Sequence, residues 1–270
     1  MEIITDIPAM KAWVRSVKAR GETICLVPTM GYLHEGHLAL MRMGRTLADH
    51  LVISIFVNPT QFGAGEDLDK YPRDLPRDAA MAESVGVECI FHPEPSTMYP
   101  PGYSTYVEVG GITEGLCGAS RPGHFRGVAT VVTKLFTVIE PDSAVFGEKD
   151  YQQLAVIRRM VRDLNLGVEI VAHPTVREED GLAMSSRNKY LSPSQRRSAL
   201  VLSKSLEEAR RLVGQGERDV QAVRNVILRM IEQTPECAVD YVEIVDAVSL
   251  HPLERVEGRA VLAMAVKVGS

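Results

Sequence analysis

Thr23-Ile24-Cys25-Leu26-Val27-Pro28-Thr29-Met30-Gly31-Tyr32-Leu33-His34-Glu35-Gly36-His37 joins an unbroken apolar run to a helix. Ile24 to Val27 shows no polar alternation, so as a strand it is buried on both faces. Such strands belong to parallel sheets covered by helices. Leu38-Ala39-Leu40-Met41-Arg42-Met43-Gly44-Arg45 continues at helical spacing. His34, Gly36 and His37 therefore fall at a strand-to-helix turn. The first N–H groups of a helix have no partner within it, and its dipole is positive there, so anions are favoured. A polyphosphate is the expected anion. The dipole contributes only about 0.3–1 kcal/mol, so cations must come from other segments.

Outward from this turn, strands and helices alternate. His50-Leu51-Val52-Ile53-Ser54-Ile55-Phe56-Val57 is a second doubly buried strand. A helix over 74–85 leads to a strand over 87–91. A long apolar helix over 125–139 is stopped by Pro141 and followed by a strand over 144–146. A helix over 151–165 with an arginine-rich face precedes a strand over 168–171. This rhythm predicts an α/β fold, a Rossmann-like doubly wound parallel sheet with ligands at the carboxyl ends of its strands. Beyond Thr175 the pattern changes. One helix is expected from Ser192-Pro193 to about Val213, a second over 219–232, then strands over 238–245 and 260–268 joined by a loop holding Pro252. Two domains are expected: 1–175, Rossmann-like, and 176–270, a smaller C-terminal α+β domain.

The 270 residues carry a net charge of −5, with 45% hydrophobic and 24% charged residues, an ordinary soluble composition. No basic excess points to nucleic acid, and no apolar stretch reaches the roughly 18 residues a membrane span needs. Residues 1–20 mix apolar and charged residues at helical spacing, unlike a signal peptide. The cytoplasm is the expected compartment. Cys25, Cys89, Cys117 and Cys237 lack metal-ligand spacing; Cys25 and Cys89, in apolar runs, read as buried reduced thiols.

Two further segments supply cations. Gly147-Glu148-Lys149-Asp150 follows a strand and opens a helix. Lys149 is a point cation suited to phosphate oxygens, Asp150 an acceptor for ribose hydroxyls, and Gln153, one turn on, a partner for a small polar substrate. Met184-Ser185-Ser186-Arg187 sets two hydroxyls beside a guanidinium, a phosphate-gripping combination. Phe56-Val57-Asn58-Pro59-Thr60-Gln61-Phe62 ends the second strand with neutral amides at its mouth. Arg121-Pro122-Gly123-His124-Phe125-Arg126-Gly127 precedes the long helix, where His124 either lines the site or caps the helix. The irregular stretch 58–72 is long enough to suggest a functional loop. Neither a Walker loop nor Gly-x-Gly-x-x-Gly occurs. The two histidines are three apart rather than the four of a helical zinc pair, which argues against zinc.

These strings, together with Pro28 to His37 and 175–188, resemble the pantothenate synthetase (pantoate–β-alanine ligase) family. His34-Glu35-Gly36-His37 alone is similar to the His-Ile-Gly-His motif of class I aminoacyl-tRNA synthetases and nucleotidyltransferases, and Met184 to Arg187 to a shortened Lys-Met-Ser-Lys-Ser loop. The resemblance implies that pantoate attacks the α-phosphorus of Mg2+-ATP, that pyrophosphate leaves, and that β-alanine displaces AMP from the pantoyl adenylate. It implies an ATP- and pantoate-binding first domain and a lid-like second one. Met30, Gly31, Tyr32, Leu33, His34, Glu35, Gly36 and His37 would hold ATP, with His37 as proton donor. Lys149, Ser185, Ser186 and Arg187 would neutralise the triphosphate, His34, His37, Lys149 and Arg187 being the catalytic set. Gly147, Glu148 and Asp150 would meet the nucleotide and its ribose, and the backbones of Val176 and Met184 its adenine. Gln61 and Gln153 would bind pantoate, Gln61 also β-alanine, and Pro28, Met30 and Phe56 would wall the pantoate pocket. The resemblance further implies a homodimer, and no residue is singled out as a metal ligand.

A nucleotidyltransferase acting on a phosphorylated metabolite is the alternative enzyme, but its acceptor pocket would need further cations where Gln61 and Gln153 stand. A non-catalytic ATP-binding regulator is the third reading, for which three phosphate-facing loops are more than binding requires.

Overall fold

Doubly buried apolar runs generate the sheet that positions everything else. The strands are β1 (Glu2–Ile4), β2 (Ile24–Thr29), β3 (His50–Ile55), β4 (Cys89–Phe91), β5 (Ser143–Gly147) and β6 (Glu169–His173). They form one parallel sheet in the order β1-β4-β3-β2-β5-β6. Helices α1 (Ile7–Lys18), α2 (Glu35–Arg45), α3 (Leu75–Glu83), the short α4 (Pro95–Met98) and α5 (Cys117–Ser120), α6 (His124–Ile139) and α7 (Tyr151–Asp163) fall between strands. The computed structural model describes residues 1–63 and 65–269. Ala64, inside the expected loop 58–72, and Ser270, at the end of the expected second domain, lie outside the described residues.

On one side of the sheet Leu33, Leu38 and Met41 pack with Leu51, Ile53, Ile55, Ala82 and Ile90. Burying each such side chain is worth roughly 1.5–3 kcal/mol, so the turn that carries His34 is anchored by Leu33, which is fully buried. α6 buries most of its length, which accounts for its predominantly apolar sequence. Cys25 and Cys89 are buried free thiols, as expected.

The chain divides into two compact units, Met1–Val109 with Arg121–Val176, and Gly110–Ser120 with Arg177–Ser270. The segment Gly110–Ser120 groups with the second unit, so no single cut describes the division. In the second unit α8 (Pro193–Ala199), α9 (Val201–Gly214) and α10 (Val220–Glu232) accompany an antiparallel pair, β7 (Cys237–Asp246) and β8 (Ala260–Val268). Val223, Ile227, Ile231, Val242 and Ile244 centre its own core.

Two local expectations differ from the structure. Residues 1–20 are not all helix: Glu2–Ile4 is an edge strand paired with β4. The helix expected from Ser192 to Val213 is two, with Leu200 between α8 and α9.

Candidate functional site

The sheet is least stitched between β2 and β5. Their register holds two pairs, Cys25↔Ser143 and Leu26↔Ala144, whereas β2 pairs with β3 from Ile24 through Thr29 and β5 with β6 from Ser143 through Gly147. Strand order also reverses here, since β3 and β4 lie to one side of β2, and β5 and β6 to the other. A crevice at the carboxyl ends of such a pair is where doubly wound folds bind ligands. The turn before α2 leaves from β2, and Gly147-Glu148-Lys149-Asp150 from β5.

His34 is the N-cap of α2, and His37 stands three residues on. Nδ1 of His34 accepts the N–H of Gly36 at 3.1 Å, and Nδ1 of His37 accepts the N–H of His34 at 3.3 Å. The rings lie 4.0 Å apart, centroid to centroid, tilted by 36°. An Nδ1 that accepts a backbone N–H carries no proton, so each neutral ring bears its proton on Nε2. The capping thus turns two imidazoles into two N–H donors. Burial above all, then the neighbouring His34 and the charge of Lys149, push the pKa of His37 down to about 3, which keeps it neutral. Glu35 is exposed and ion-paired with Arg42 along the helix, and Gly36 is buried in the first turn.

Glu148–Asp150 forms a single 3-10 turn between β5 and α7. Lys149 Nζ is 3.7 Å from Asp150 Oδ2, and both side chains are exposed. The charge of Lys149 adds to the lowering of the His37 pKa, behind burial and the neighbouring His34. Gln153 lies half-buried in the first turn of α7, and Val176 half-buried at the end of the first unit.

Pro28 lies near the end of β2 and Met30 directly follows it, while Phe56 and Gln61 follow its neighbour β3. Gln61 Nε2 lies 3.1 Å from Met30 Sδ, and its Oε1 accepts from Asn58 Nδ2 at 3.1 Å. Asn58 is itself fixed, since Oδ1 accepts the hydroxyls of Tyr99 (2.8 Å) and Thr60 (2.9 Å) while Nδ2 also donates to Gly127 O (3.1 Å). With Oε1 occupied in this way, Gln61 presents its NH2 beside Met30 as a donor. Phe56 and Tyr99 rings lie 6.2 Å apart. His124 Nδ1 donates to Gln61 O at 2.9 Å, and Arg121, ion-paired with Glu66, donates to the same oxygen at 3.2 Å. His124 is therefore tied to the backbone of Gln61 rather than being a simple cap of α6, whose N-cap is Gly123.

In the second unit, Glu178 N–H to Leu182 O (2.8 Å) and the left-handed Gly181 (φ 90°) fold 177–183 into a tight turn. Met184, Ser185, Ser186 and Arg187 follow it, and Ser185 caps a 3-10 turn by accepting the N–H of Arg187 at 3.2 Å. Asn188 Nδ2 donates to Glu178 (2.8 Å) and Ala183 O (3.0 Å), and Arg196 pairs with Glu178 and Asp180. These bonds hold the serine–arginine loop to its neighbours.

The sequence pattern did not single out Asp78 or Tyr99, and it offered Asn58 only as an amide at a strand mouth. Asp78 braces the turn before His34 from 45 and 46 residues away, and Tyr99 reaches Asn58 across 41. Nothing local marks either residue.

The pantoate-beta-alanine ligase family model matches residues 2–270. Pantothenate synthetase of Acetivibrio thermocellus is 57% identical over 270 residues, covering 100% of this chain and 96% of that protein. The crystal structure of pantothenate synthetase from Thermus thermophilus superposes with a TM-score of 0.92 at 46% identity, covering 100% of this chain and 98% of the other. That of pantoate-beta-alanine ligase from Francisella tularensis, complexed with beta-gamma ATP and beta-alanine, gives 0.80 at 32% identity, covering 100% and 94%.

Proposed function

This chain belongs to the pantoate–β-alanine ligase family, its reaction is the ATP-driven joining of pantoate to β-alanine, and we propose that it runs through a pantoyl adenylate held at the β2/β5 crevice. A carboxylate does not acylate an amine at useful rates until one of its oxygens becomes part of a leaving group. In the proposed sequence a pantoate carboxylate oxygen attacks the α-phosphorus of ATP, the bond to the β-phosphate oxygen breaks, and pyrophosphate departs. The β-alanine nitrogen then attacks the acyl carbon, the acyl–oxygen bond breaks, AMP leaves, and the nitrogen loses a proton.

Such transfers ask the protein chiefly for positioning and for charge stabilisation. What supports the reading most is the pair of Nε2–H donors set by the reciprocal capping of His34 and His37, with the charge of Lys149 acting on the same ring. His37 then serves as a neutral hydrogen-bond donor to phosphate oxygen rather than as an imidazolium acid. Met30 to Gly36 and Glu148 would follow the nucleotide, and Gly147 and Asp150 its ribose. The backbones of Val176 and Met184 would read adenine. Gln61 and Gln153 would take the pantoate oxygens, Gln61 also β-alanine, against Pro28, Met30 and Phe56. Ser185, Ser186 and Arg187 of the second unit are assigned to phosphate.

Mg2+ would enter with ATP and neutralise part of its charge. Among the described residues no group of three or more His, Cys, Asp or Glu could hold a metal ion. Mg2+ is commonly carried by substrate phosphates, water and one or two carboxylates rather than by a dedicated protein cage. No helix of the described residues is long and apolar enough to cross a membrane; a cytoplasmic homodimer completes the proposal, checked by cell fractionation and sedimentation equilibrium. The direct test is incubation with ATP, Mg2+, pantoate and β-alanine. AMP and pantothenate in equal amounts, with pyrophosphate release that requires pantoate, support the reading; pantoate-independent release overturns it.

A further inference from the structure

Between the end of β2 and His34 the backbone passes through two successive left-handed residues, Gly31 (φ 80°) and Tyr32 (φ 50°). A side chain at position 31 would put its Cβ 2.9 Å from Ile55 Cγ2 and 3.0 Å from Asp78 Oδ2, so only glycine fits there. Tyr32 has no such excuse. A left-handed residue with a Cβ is strained and persists only where its surroundings over-determine it.

Asp78 supplies that determination. It sits in α3, one turn beyond the N-cap Asp74, and is 1% exposed. Its Oδ2 accepts the N–H of Tyr32 at 2.6 Å and its Oδ1 the N–H of Leu33 at 2.8 Å. Successive N–H groups at a left-handed turn form a concavity that favours an anion; here a side chain of the same chain fills it. The neighbouring Arg77 donates to Asp78 Oδ1 (3.3 Å) and to Leu33 O (2.9 Å), and its guanidinium lies 4.9 Å over the Tyr32 ring. With Leu33 buried in the core, the peptide entering His34 is gripped from both edges. His34 then starts α2 in extended backbone (φ −144°, ψ 173°), the conformation its reciprocal cap with His37 requires.

We propose that Asp78 is a positioning residue for the nucleotide-directed histidines: its buried carboxylate holds the 31–33 turn and so aims the Nε2–H groups of His34 and His37. This rests on the adenylation reading above for its kinetic consequence, though not for the brace itself. Asp78 touches no substrate in this role. A backbone shift of the order of 1 Å at positioned groups costs about 10²-fold in rate, so a loosened turn should be felt in the ATP-dependent step.

The experiment compares Asp78→Asn, Arg77→Met and Asp74→Ala with the wild type. Asp78→Asn keeps the shape but turns an NH2 towards a backbone N–H. It should lower kcat/KM for ATP by about 10- to 100-fold while KM for pantoate stays within about twofold. Amide hydrogen exchange at Tyr32 and Leu33 should accelerate, with β3 and β4 unchanged. Arg77→Met, which leaves the carboxylate in place, should show a smaller defect in the same direction, and keeps the test open if Asp78→Asn does not fold. Asp74→Ala removes the cap of α3 without touching the turn, and should lower Tm yet leave kcat/KM for ATP within about twofold. The proposal is overturned if Asp74→Ala reproduces the ATP defect, if kcat falls only in proportion to folded protein with both KM values unchanged, or if exchange at Tyr32 and Leu33 does not change. Exchange needs no turnover, so a wild type that released no pyrophosphate with pantoate would sink the adenylation reading and leave the brace to be judged by exchange.

Discussion

Nδ1 of His37 accepts the backbone N–H of His34 at 3.3 Å, so the second histidine of the motif caps the residue that begins the helix. Protonating His37 would place a proton on that Nδ1 and break the cap. Burial, with the neighbouring His34 and the charge of Lys149, already holds its pKa down at about 3, against 6.5 for a free imidazole. Pyrophosphate release should therefore show no loss attributable to His37 between about pH 5 and 8. The sign for stability follows from the same shift. Below pH 6.5 the unfolded chain takes a proton that the native ring refuses, so this contribution is lost progressively as pH falls from 6.5 towards 3. His37→Gln should flatten the dependence of Tm on pH in that window, and an unchanged slope would show that the ring titrates freely.

Truncation is harsher. His37→Ala removes a donor and a cap together, and adenylation should slow by roughly 10²–10³-fold. Single-turnover AMP formation measures it, with circular dichroism to establish that the fold is kept.

Lys149→Ala should slow the same step by roughly 10²–10³-fold and also move a neighbour. Because the Lys149 charge helps to depress the His37 pKa, that pKa should rise in the variant. An NMR titration of the imidazole that stays in place would mean the two groups do not meet.

Gly127 and Gln153 separate shape from contact at the pantoate end. A Cβ on residue 127 would lie 2.3 Å from the carbonyl oxygen of Thr60, a backbone atom that cannot step aside. Gly127→Ala should push the 3-10 turn that carries Gln61, lowering stability by about 1–3 kcal/mol and raising KM for pantoate. Gln153→Ala should raise KM for pantoate with Tm and the ATP constant near wild type. If both variants leave the pantoate constant alone, the pocket has been placed on the wrong side of β3.

At the opposite end of the sheet His50 bonds to Glu88 through Nδ1 and to Glu22 through Nε2, the latter at 2.7 Å, with Arg20 at 3.4 Å. Burial by itself lowers its pKa, but hydrogen bonds and charges from Glu22 and Glu88 outweigh this and raise it. A raised histidine stabilises fully below its unfolded value and loses that contribution as pH climbs through the folded one. The Tm gap between wild type and His50→Gln should be wide at mildly acidic pH and narrow in alkali, as calorimetry across that range would show.

The parallel core was readable before any coordinates because strands covered on both faces must be nearly continuously apolar, as Ile24 to Val27 and Leu51 to Ile53 are. β1 escaped because Glu2-Ile3-Ile4 is too short to show a period and leaves two of its three residues exposed. The junction at Leu200 escaped because its backbone stays near helical (φ −65°, ψ −17°) and the helical pattern runs through it. At the site, the histidines, Lys149 and Gln61 stood out because they sit at strand ends beside breaks in apolar pattern. Asp78 and Tyr99 did not, since each acts through a bond that closes only after the sheet has formed. A polar residue inside a helix or a tyrosine after one has ordinary explanations until its partner arrives.

The two-pair ladder between β2 and β5 has a mechanical meaning. β2 and β5 share the shortest ladder in the sheet, and it stops at Leu26 and Ala144, short of the strands' carboxyl ends. A nucleotide gripped from one bank by the α2 turn and from the other by Lys149 would be the missing rivet. Bridging that gap would tie together two strand ends that the sheet's own ladder leaves apart.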